Sequence, residues 1–463
     1  MKHQQILGTE PIGKLLFKYS VPAIIGMMVN GLYNVVDRIF IGNIPDVGPL
    51  AITGLGVTMP IMTIILAFGM LIGLGTTTNI SIKLGQGKKD EAEKLIGNAI
   101  TLSILIGFVL MIIGLVFGNK ILLIFGASEN TLIYAKSYIN IILMGTIVNM
   151  ISFSLNHSIR ADGSPKISAG IMIGGCLTNI VLDALFIFKF NLGIQGAALA
   201  TIISQTITAI LTLKYYIGGY SNLKFSKANL RLDKKLVSAV FAIGMSPFAM
   251  QLAASMVQII ANKSLKFYGG DLAIGAMATI SSVSMVFLMP IFGINQGSQP
   301  IIGFNYGAQK YDRVKKTYLC SLTVATIMLC IASVVVQGIP EIIVGLFNKD
   351  PELMDISVKG IKVYMMMIPI TAISITGTNY IQSIGKAKTA MVLSLLRQVI
   401  LLIPAMLILP KIFELQGIWM SQPIADAIST TITAIVLIKE IRSYSKNQST
   451  KNSEESKYIE TMD

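Results

Sequence analysis

Residues 96–117, IGNAITLSILIGFVLMIIGLVF, carry no charged side chain. A helix needs about 20 mostly apolar residues to cross the hydrocarbon core of a bilayer, so this run is long enough to span one. Lys166 to Phe188 and Ser321 to Gly338 repeat the pattern with few or no charges inside. Alternating segments of roughly ten residues, the mark of a transmembrane β-strand, do not occur. Helices also satisfy their own backbone hydrogen bonds in lipid. Composition agrees: of 463 residues, 53% are hydrophobic and 13% charged, about half the roughly 25% charge of a soluble domain. Mean hydropathy is +0.70.

The whole chain reads as an all-α polytopic membrane protein of twelve spans. The first six fall at about 15–42, 50–82, 95–118, 131–159, 166–188 and 193–217. The other six fall at about 236–268, 271–304, 315–345, 352–384, 388–410 and 416–442. The two sets are related. One constant offset in the numbering aligns Leu50-Ala51-Ile52 with Leu272-Ala273-Ile274, Gly85 with Gly307, Lys88 with Lys310 and Asp90 with Asp312. The same offset pairs Gly163 with Gly385 and Lys166 with Lys388. Offsets that differ only slightly bring Gln195-Gly196 to Gln416-Gly417 and Pro22 to Pro247. Loop residues fall in step too, which apolar bias does not explain. Six spans per repeat give parallel repeats, a transporter design with a site between the lobes. The predicted organisation is an N-terminal lobe over 1–217, a polar basic linker over 218–235, a C-terminal lobe over 236–442 and a disordered tail over 443–463, the two pseudo-symmetric lobes facing a central cavity.

The formal charge of +14 does not indicate nucleic acid, because the basic residues sit in short loops between apolar runs. They report orientation instead. With an even number of spans, 26 of the 37 Lys and Arg lie on the side of the termini and 10 on the other, Arg397 being inside a span. The positive-inside rule then places both termini in the cytoplasm of a cell (inner or plasma) membrane protein. The first apolar run begins near Leu15 and lacks a small-residue cleavage pattern, so no cleavable signal is expected. Cys176, Cys320 and Cys330 are scattered within apolar runs, and His3 and His157 stand alone. Neither a disulfide framework nor a metal cluster is predicted. Gly385-Lys386 lacks the following Ser/Thr and the upstream Gly of a P-loop, so no ATP use is expected and an ion gradient or passive flow must drive transport. An enzymatic activity is not expected.

Carboxylates within spans are costly and mark function by default. Asp37 lies near the outer end of span 1 and Asp183 near the outer end of span 5, each roughly 9 Å below the boundary at about 1.5 Å per residue. Asn179 is one turn deeper on the face of Asp183, and Thr201 in span 6 is at similar depth. Two acids, an amide and a hydroxyl at one level form a candidate site for H+ or Na+, since paired carboxyl groups away from water can gain and lose a proton near neutral pH. The competing reading pairs Asp37 with Arg38, an awkward geometry for adjacent helical residues. In the second lobe, positions matching Asp37 and Asp183 are Asn262 and Pro404, which confines ion coupling mainly to the first lobe. Asp426 in span 12 is placed to meet Arg397 of span 11, either as a structural ion pair or as a cavity charge. Asn34, Gln205, Asp426 and Arg397 are the candidate substrate-cavity residues. Met365-Met366-Met367 suits adaptable apolar contact or lipid-facing filler, Pro22 offers a bend in span 1, and Gly69-x-x-x-Gly73 and Gly170-x-x-x-Gly174 suit close helix packing.

Several stretches resemble the multidrug and toxic compound extrusion (MATE) family, in its MepA-like bacterial branch. They are Gln296-Gly297-Ser298-Gln299-Pro300-Ile301-Ile302-Gly303-Phe304-Asn305-Tyr306-Gly307-Ala308, the Asn34–Gly42 run around Asp37, the Asn179–Phe188 run around Asp183, and Arg160-Ala161-Asp162-Gly163. The resemblance covers essentially the chain before the tail. It implies a V of two six-helix lobes that exports small-molecule drugs, organic cations and amphipathic compounds in exchange for H+ or Na+ from within the lipid bilayer. It also implies ion-coupling roles for Asp37, Asp183, Asn179 and Thr201, no cofactor, and Na+ as a candidate at Asp37 and Asp183. The alternative function is a flippase for a lipid-linked precursor of the same superfamily, which is expected to need a strongly cationic cavity; a receptor or channel fits the two-lobe repeat poorly.

Overall fold

The computed structural model describes residues 2–45, 47–347 and 350–460, and contains no strand among them. A short helix, Lys2–Thr9, precedes α1 (Ile12–Gly42), α2 (Gly48–Gly85) and α3 (Lys89–Ile124). The fourth passage, α4, is a bent pair, Glu129–Met144 and Thr146–Ala161, followed by α5 (Pro165–Lys189) and α6 (Gly193–Ile217). The second half repeats this order. α7 (Lys234–Gly270) and α8 (Leu272–Gly307) meet at Gly270, whose φ of 66° breaks the helix. Then come α9 (Tyr311–Gly338), the bent pair α10 (Pro351–Tyr364 and Ile368–Ser383) and α11 (Ala387–Ile408). Helix Pro410–Glu460 turns at Glu414 (φ 48°), and its portion 415–460 is α12.

Counting each bent pair once, eleven of these are long and apolar enough to cross a membrane. The segment expected as the twelfth span, 416–442, is helical and buries Ile418, Trp419, Ala425 and Leu437 against its lobe, but stands outside that eleven. The helix continues to Glu460 where composition predicts an irregular tail from 443. A helix already nucleated lengthens at one hydrogen bond per residue, without the cost of a new nucleus. Residues 461–463 lie outside the described residues.

The breaks have local causes. Spans 4 and 10 each bend by 56°. In α10 the break is Met365–Met367, just before Pro369, which lacks an N–H and disfavours helix at the residue before it. The three methionines are thus a hinge: Met365 is buried and Met366 exposed. In α4 the break is Gly145, a weak helix former. Pro340 likewise ends α9 at Gly338 rather than 345, with Ile339 pushed to φ −134°, ψ 47°. Pro22, by contrast, sits inside an unbroken α1. The repeat extends to backbone conformation. Gly163 and Gly385, equivalent in the two halves, both turn with positive φ (100° and 80°), and so do Gly87 and Gln309 (75° and 58°).

The lobes meet at the end of the bundle that carries the termini. There α2 packs on α7 and α8, and α1 packs on α8. A Cβ on Gly75 would strike the carbonyl of Val240, and one on Gly244 that of Leu71. Gln299 Nε2 donates to Thr78 Oγ1 at 2.7 Å. Toward the other end, Leu32 and Val35 of α1, Met256 and Ile259 of α7, and Met285 and Val286 of α8 are exposed. The contacts between lobes named here cluster toward the end that carries the termini. Gly69 and Gly73 do pack, against Phe153, whereas nothing lies within 4 Å of a Cβ on Gly170 or Gly174.

Asp162, in the turn between α4 and α5, anchors the linker. Its carboxylate accepts from Tyr215 Oη at 2.5 Å, Ser221 Oγ at 2.9 Å and the backbone N–H groups of Asn222 at 2.9 Å and Leu223 at 3.1 Å. Removing a buried acceptor strands its donors, and bonds to charged groups are worth about 1.5–3 kcal/mol each. Asp162→Ala is expected to destabilise the protein by about 3 kcal/mol or more, read as a lower thermal unfolding midpoint in detergent; an unchanged midpoint contradicts the anchoring role.

Candidate functional site

α1 and α5 bring Asp37 and Asp183 together. Asp183 is fully buried (0% exposed) and Asp37 partly so, and their carboxyl groups lie within hydrogen-bonding range of each other. A hydrogen bond between two carboxyl groups requires a proton on one of them. Oδ1 of each is buried and receives no donor among the described residues. The pair thus presents two oxygens out of water with unused acceptor capacity. Arg38 is exposed and makes no ion-pair contact with Asp37 among the described residues, although its charge still acts on that carboxyl group.

Asn179 and Thr201 adjoin the pair, Thr201 through its backbone N–H rather than its hydroxyl. With its amide oriented to satisfy both neighbours, Asn179 donates from its nitrogen to Asp183 Oδ2 at 2.9 Å and accepts at its oxygen from the Thr201 backbone N–H at 3.2 Å. Thr201 Oγ1 donates to the Ala197 carbonyl at 3.0 Å. Just past Asp183, α5 loosens into a π-helical turn over Leu185–Lys189, a departure often found at functional positions.

Two tyrosines complete the surround. Tyr138 of α4 is buried beside Thr201 and lies in the electrostatic field of both acids. Tyr33, one turn before Asp37, faces the same two acids. Deeper on α1, Asn30 Nδ2 reaches Cys176 Sγ at 4.0 Å. Of the cavity candidates, Asn34 is exposed and donates to the Asn30 carbonyl at 2.7 Å, and Gln205 is half-buried on α6, one turn beyond Thr201. Neither joins the acid pair.

Arg397 and Asp426 do meet, in the second lobe. Arg397 Nε lies 2.9 Å from Asp426 Oδ1, with its N–H turned away from the oxygen, so the contact is electrostatic. Gln422 Nε2 donates to both oxygens of Asp426 at 3.1 Å, and Tyr364 Oη donates to Gln422 Oε1 at 3.3 Å.

A third polar group crosses between lobes. Arg160 is buried, donating from Nη1 to Gln296 Oε1 of α8 at 2.5 Å and from Nη2 to His157 Nδ1 at 2.9 Å. Since guanidinium only donates, His157 accepts at Nδ1 and is neutral in this contact. The rest of the Gln296–Ala308 run belongs to the same seam. Gly297 abuts Ser20, Gly303 abuts Ser81, and Asn305 Nδ2 donates to the Leu7 carbonyl at 3.0 Å.

Two lobes of apolar helices, with an acid pair sunk in one of them, define a polytopic membrane transporter. The family model MatE matches residues 22–185 and again 247–408, and the chain belongs to that family. Multidrug export protein MepA of Staphylococcus aureus is 27% identical over 94% of this chain and 96% of its own length. MepA of Staphylococcus haemolyticus gives the same three figures. The MATE multidrug transporter DinF-BH, solved as a complex, superposes with a TM-score of 0.87 at 36% identity, covering 93% of this chain and 96% of that one. An outward-facing MATE family transporter of the MOP superfamily matches at a TM-score of 0.90 and 20% identity over 96% of this chain and 99% of its own, a likeness of fold. This is a multi-pass cell-membrane protein of the MATE multidrug efflux transporter family.

Proposed function

We propose that the protein exports organic cations and other amphipathic small molecules in exchange for H+ or Na+, with both termini in the cytoplasm. The observation that carries this reading is the Asp37–Asp183 pair, whose two buried Oδ1 atoms lack donors among the described residues. A proton shared between the carboxyl groups, or Na+ held by carboxylate oxygens together with the Asn179 or Thr201 oxygen, satisfies that demand with hard oxygen ligands. Ion binding draws α1 and α5 together; ion loss leaves two acids in repulsion, and the two states favour different arrangements of the first lobe. The basic bias toward the termini supports the orientation, and with it the end away from the termini faces outward. The resemblance to relatives titled as multidrug exporters supports the substrate class.

The alternative, a flippase for a lipid-linked precursor, is disfavoured because Arg397 is neutralised by Asp426 and Arg160 is buried in the seam between lobes. Everted vesicles loaded with ethidium under an imposed pH or Na+ gradient separate the possibilities. Uptake driven by one of the two gradients is expected, and that gradient names the coupling ion. No uptake under either gradient overturns the antiport reading.

A further inference from the structure

In both lobes a tyrosine from the fourth helix lies against the same register position on the sixth. In the first, Tyr138 of α4 meets Thr201 of α6. In the second, Tyr364 of α10 meets Gln422 of α12. Gln422 stands to Thr201 at the same offset that pairs Gln195-Gly196 with Gln416-Gly417. From there the lobes diverge. The first-lobe chain ends, through Asn179, on an acid paired with another acid. The second-lobe chain ends on Asp426, which sits at the repeat position of Gln205 and faces the Arg397 guanidinium.

We infer that Arg397 is a tethered cation that neutralises Asp426 in the second lobe, as a coupling ion neutralises the acid pair in the first, so that Asp426 is closed to ions. The physics is that of a buried anion. Asp426 is 5% exposed, and a carboxylate in such a place must be neutralised by a partner, a bound cation or a proton. Arg397 supplies the charge permanently, because guanidinium does not release its proton in proteins. Gln422 donates to both carboxylate oxygens and Tyr364 orients Gln422, so the acid is fixed toward its partner. The other groups near Tyr364 with electrostatic weight are these same two charges. A lobe wired in this way contributes no ion to the exchange. The inference rests on the proposed coupling at Asp37 and Asp183, and it adds that stoichiometry is set by a side chain in the opposite lobe.

The test counts cations on the purified full-length protein with two probes, bound radioactive Na+ per chain and protons released when ethidium is added to unbuffered protein. Arg397→Gln is expected to bind or release one more cation per chain than the wild type, in one of the two counts. Arg397→Lys and the double variant Arg397→Gln/Asp426→Asn are expected to return the wild-type count. Asp426→Asn alone is expected to leave the count unchanged, which decides the matter even if Arg397→Gln does not fold. A folded Arg397→Gln protein with the wild-type count, or a lower count in Asp426→Asn, overturns the inference. Asp183→Asn serves as the separate control: if it fails to lower the count, the first-lobe coupling reading fails, whereas the Arg397→Gln difference still reports on Arg397.

Discussion

Asp183→Asn is expected to reduce gradient-driven efflux to the level of vesicles without transporter, on the order of 100-fold, while the protein still inserts and still binds drug. The argument is thermodynamic. An ion gradient drives a transporter only through the difference in ion affinity between its conformations, and a site that no longer binds the ion transmits nothing. Asparagine keeps the shape of the side chain but can neither take up a proton nor balance Na+. Drug counterflow without a gradient depends on the cavity rather than on the acids, so it is expected to persist. On the proposed reading Asp37 and Asp183, which lie within hydrogen-bonding range, share one ion. Asp37→Asn is therefore expected to give the same loss, and the double variant to be no worse than either single one, the non-additivity of groups that act as a unit. Undiminished efflux in either single variant removes the pair from the mechanism.

What can be read from sequence follows from how conspicuous each signal is in an apolar background. An aspartate inside a span stands out by its solvation cost, so Asp37, Asp183 and Asp426 are legible, and Asn179 follows from helical spacing. Tyr138 is not, because a tyrosine in an apolar run looks like packing until it is found beside Thr201 and the acid pair. Bends divide in the same way. Pro369 sits beside a real hinge, but Gly145 bends α4 with no proline nearby, and Pro22 does not break α1. Glycine spacing is ambiguous. Gly69 and Gly73 meet Phe153, yet Gly170 and Gly174 meet nothing within 4 Å, since spacing puts two glycines on one face without saying whether that face has a neighbour. The Gln296–Ala308 run is legible as a signature but not as a seam. Its partners, Arg160, Ser20, Thr78, Ser81 and Leu7, come from distant parts of the chain, and one sequence does not reveal such pairings.

That seam also bears on conformational change. Gly85 and Gly307 occupy the same position in the two repeats and face each other across the lobes in matching environments. A Cβ on Gly85 would strike the carbonyl of Phe304, and one on Gly307 the carbonyl of Ile82, the repeat equivalent of Phe304. The pseudo-symmetry axis of the molecule runs through this contact, where backbone meets backbone and only glycine leaves room. Backbone cannot yield as the end of a flexible side chain does, so Gly85→Ala and Gly307→Ala must separate the lobes at this contact or strain them. Overpacking of this kind costs about 1–3 kcal/mol. Because it penalises only the state in which these surfaces touch, it shifts the conformational ratio by about 30-fold at about 2 kcal/mol. The double alanine variant is expected to populate the opposite state, open at the termini, and to transport drug at least about tenfold more slowly. Spin labels at Lys89 and Lys316, exposed near the starts of α3 and α9, would report the change as a longer distance in a cysteine-free background. An unchanged distance distribution together with normal transport would show that the lobes do not part along this seam, and that the exchange cycle closes elsewhere.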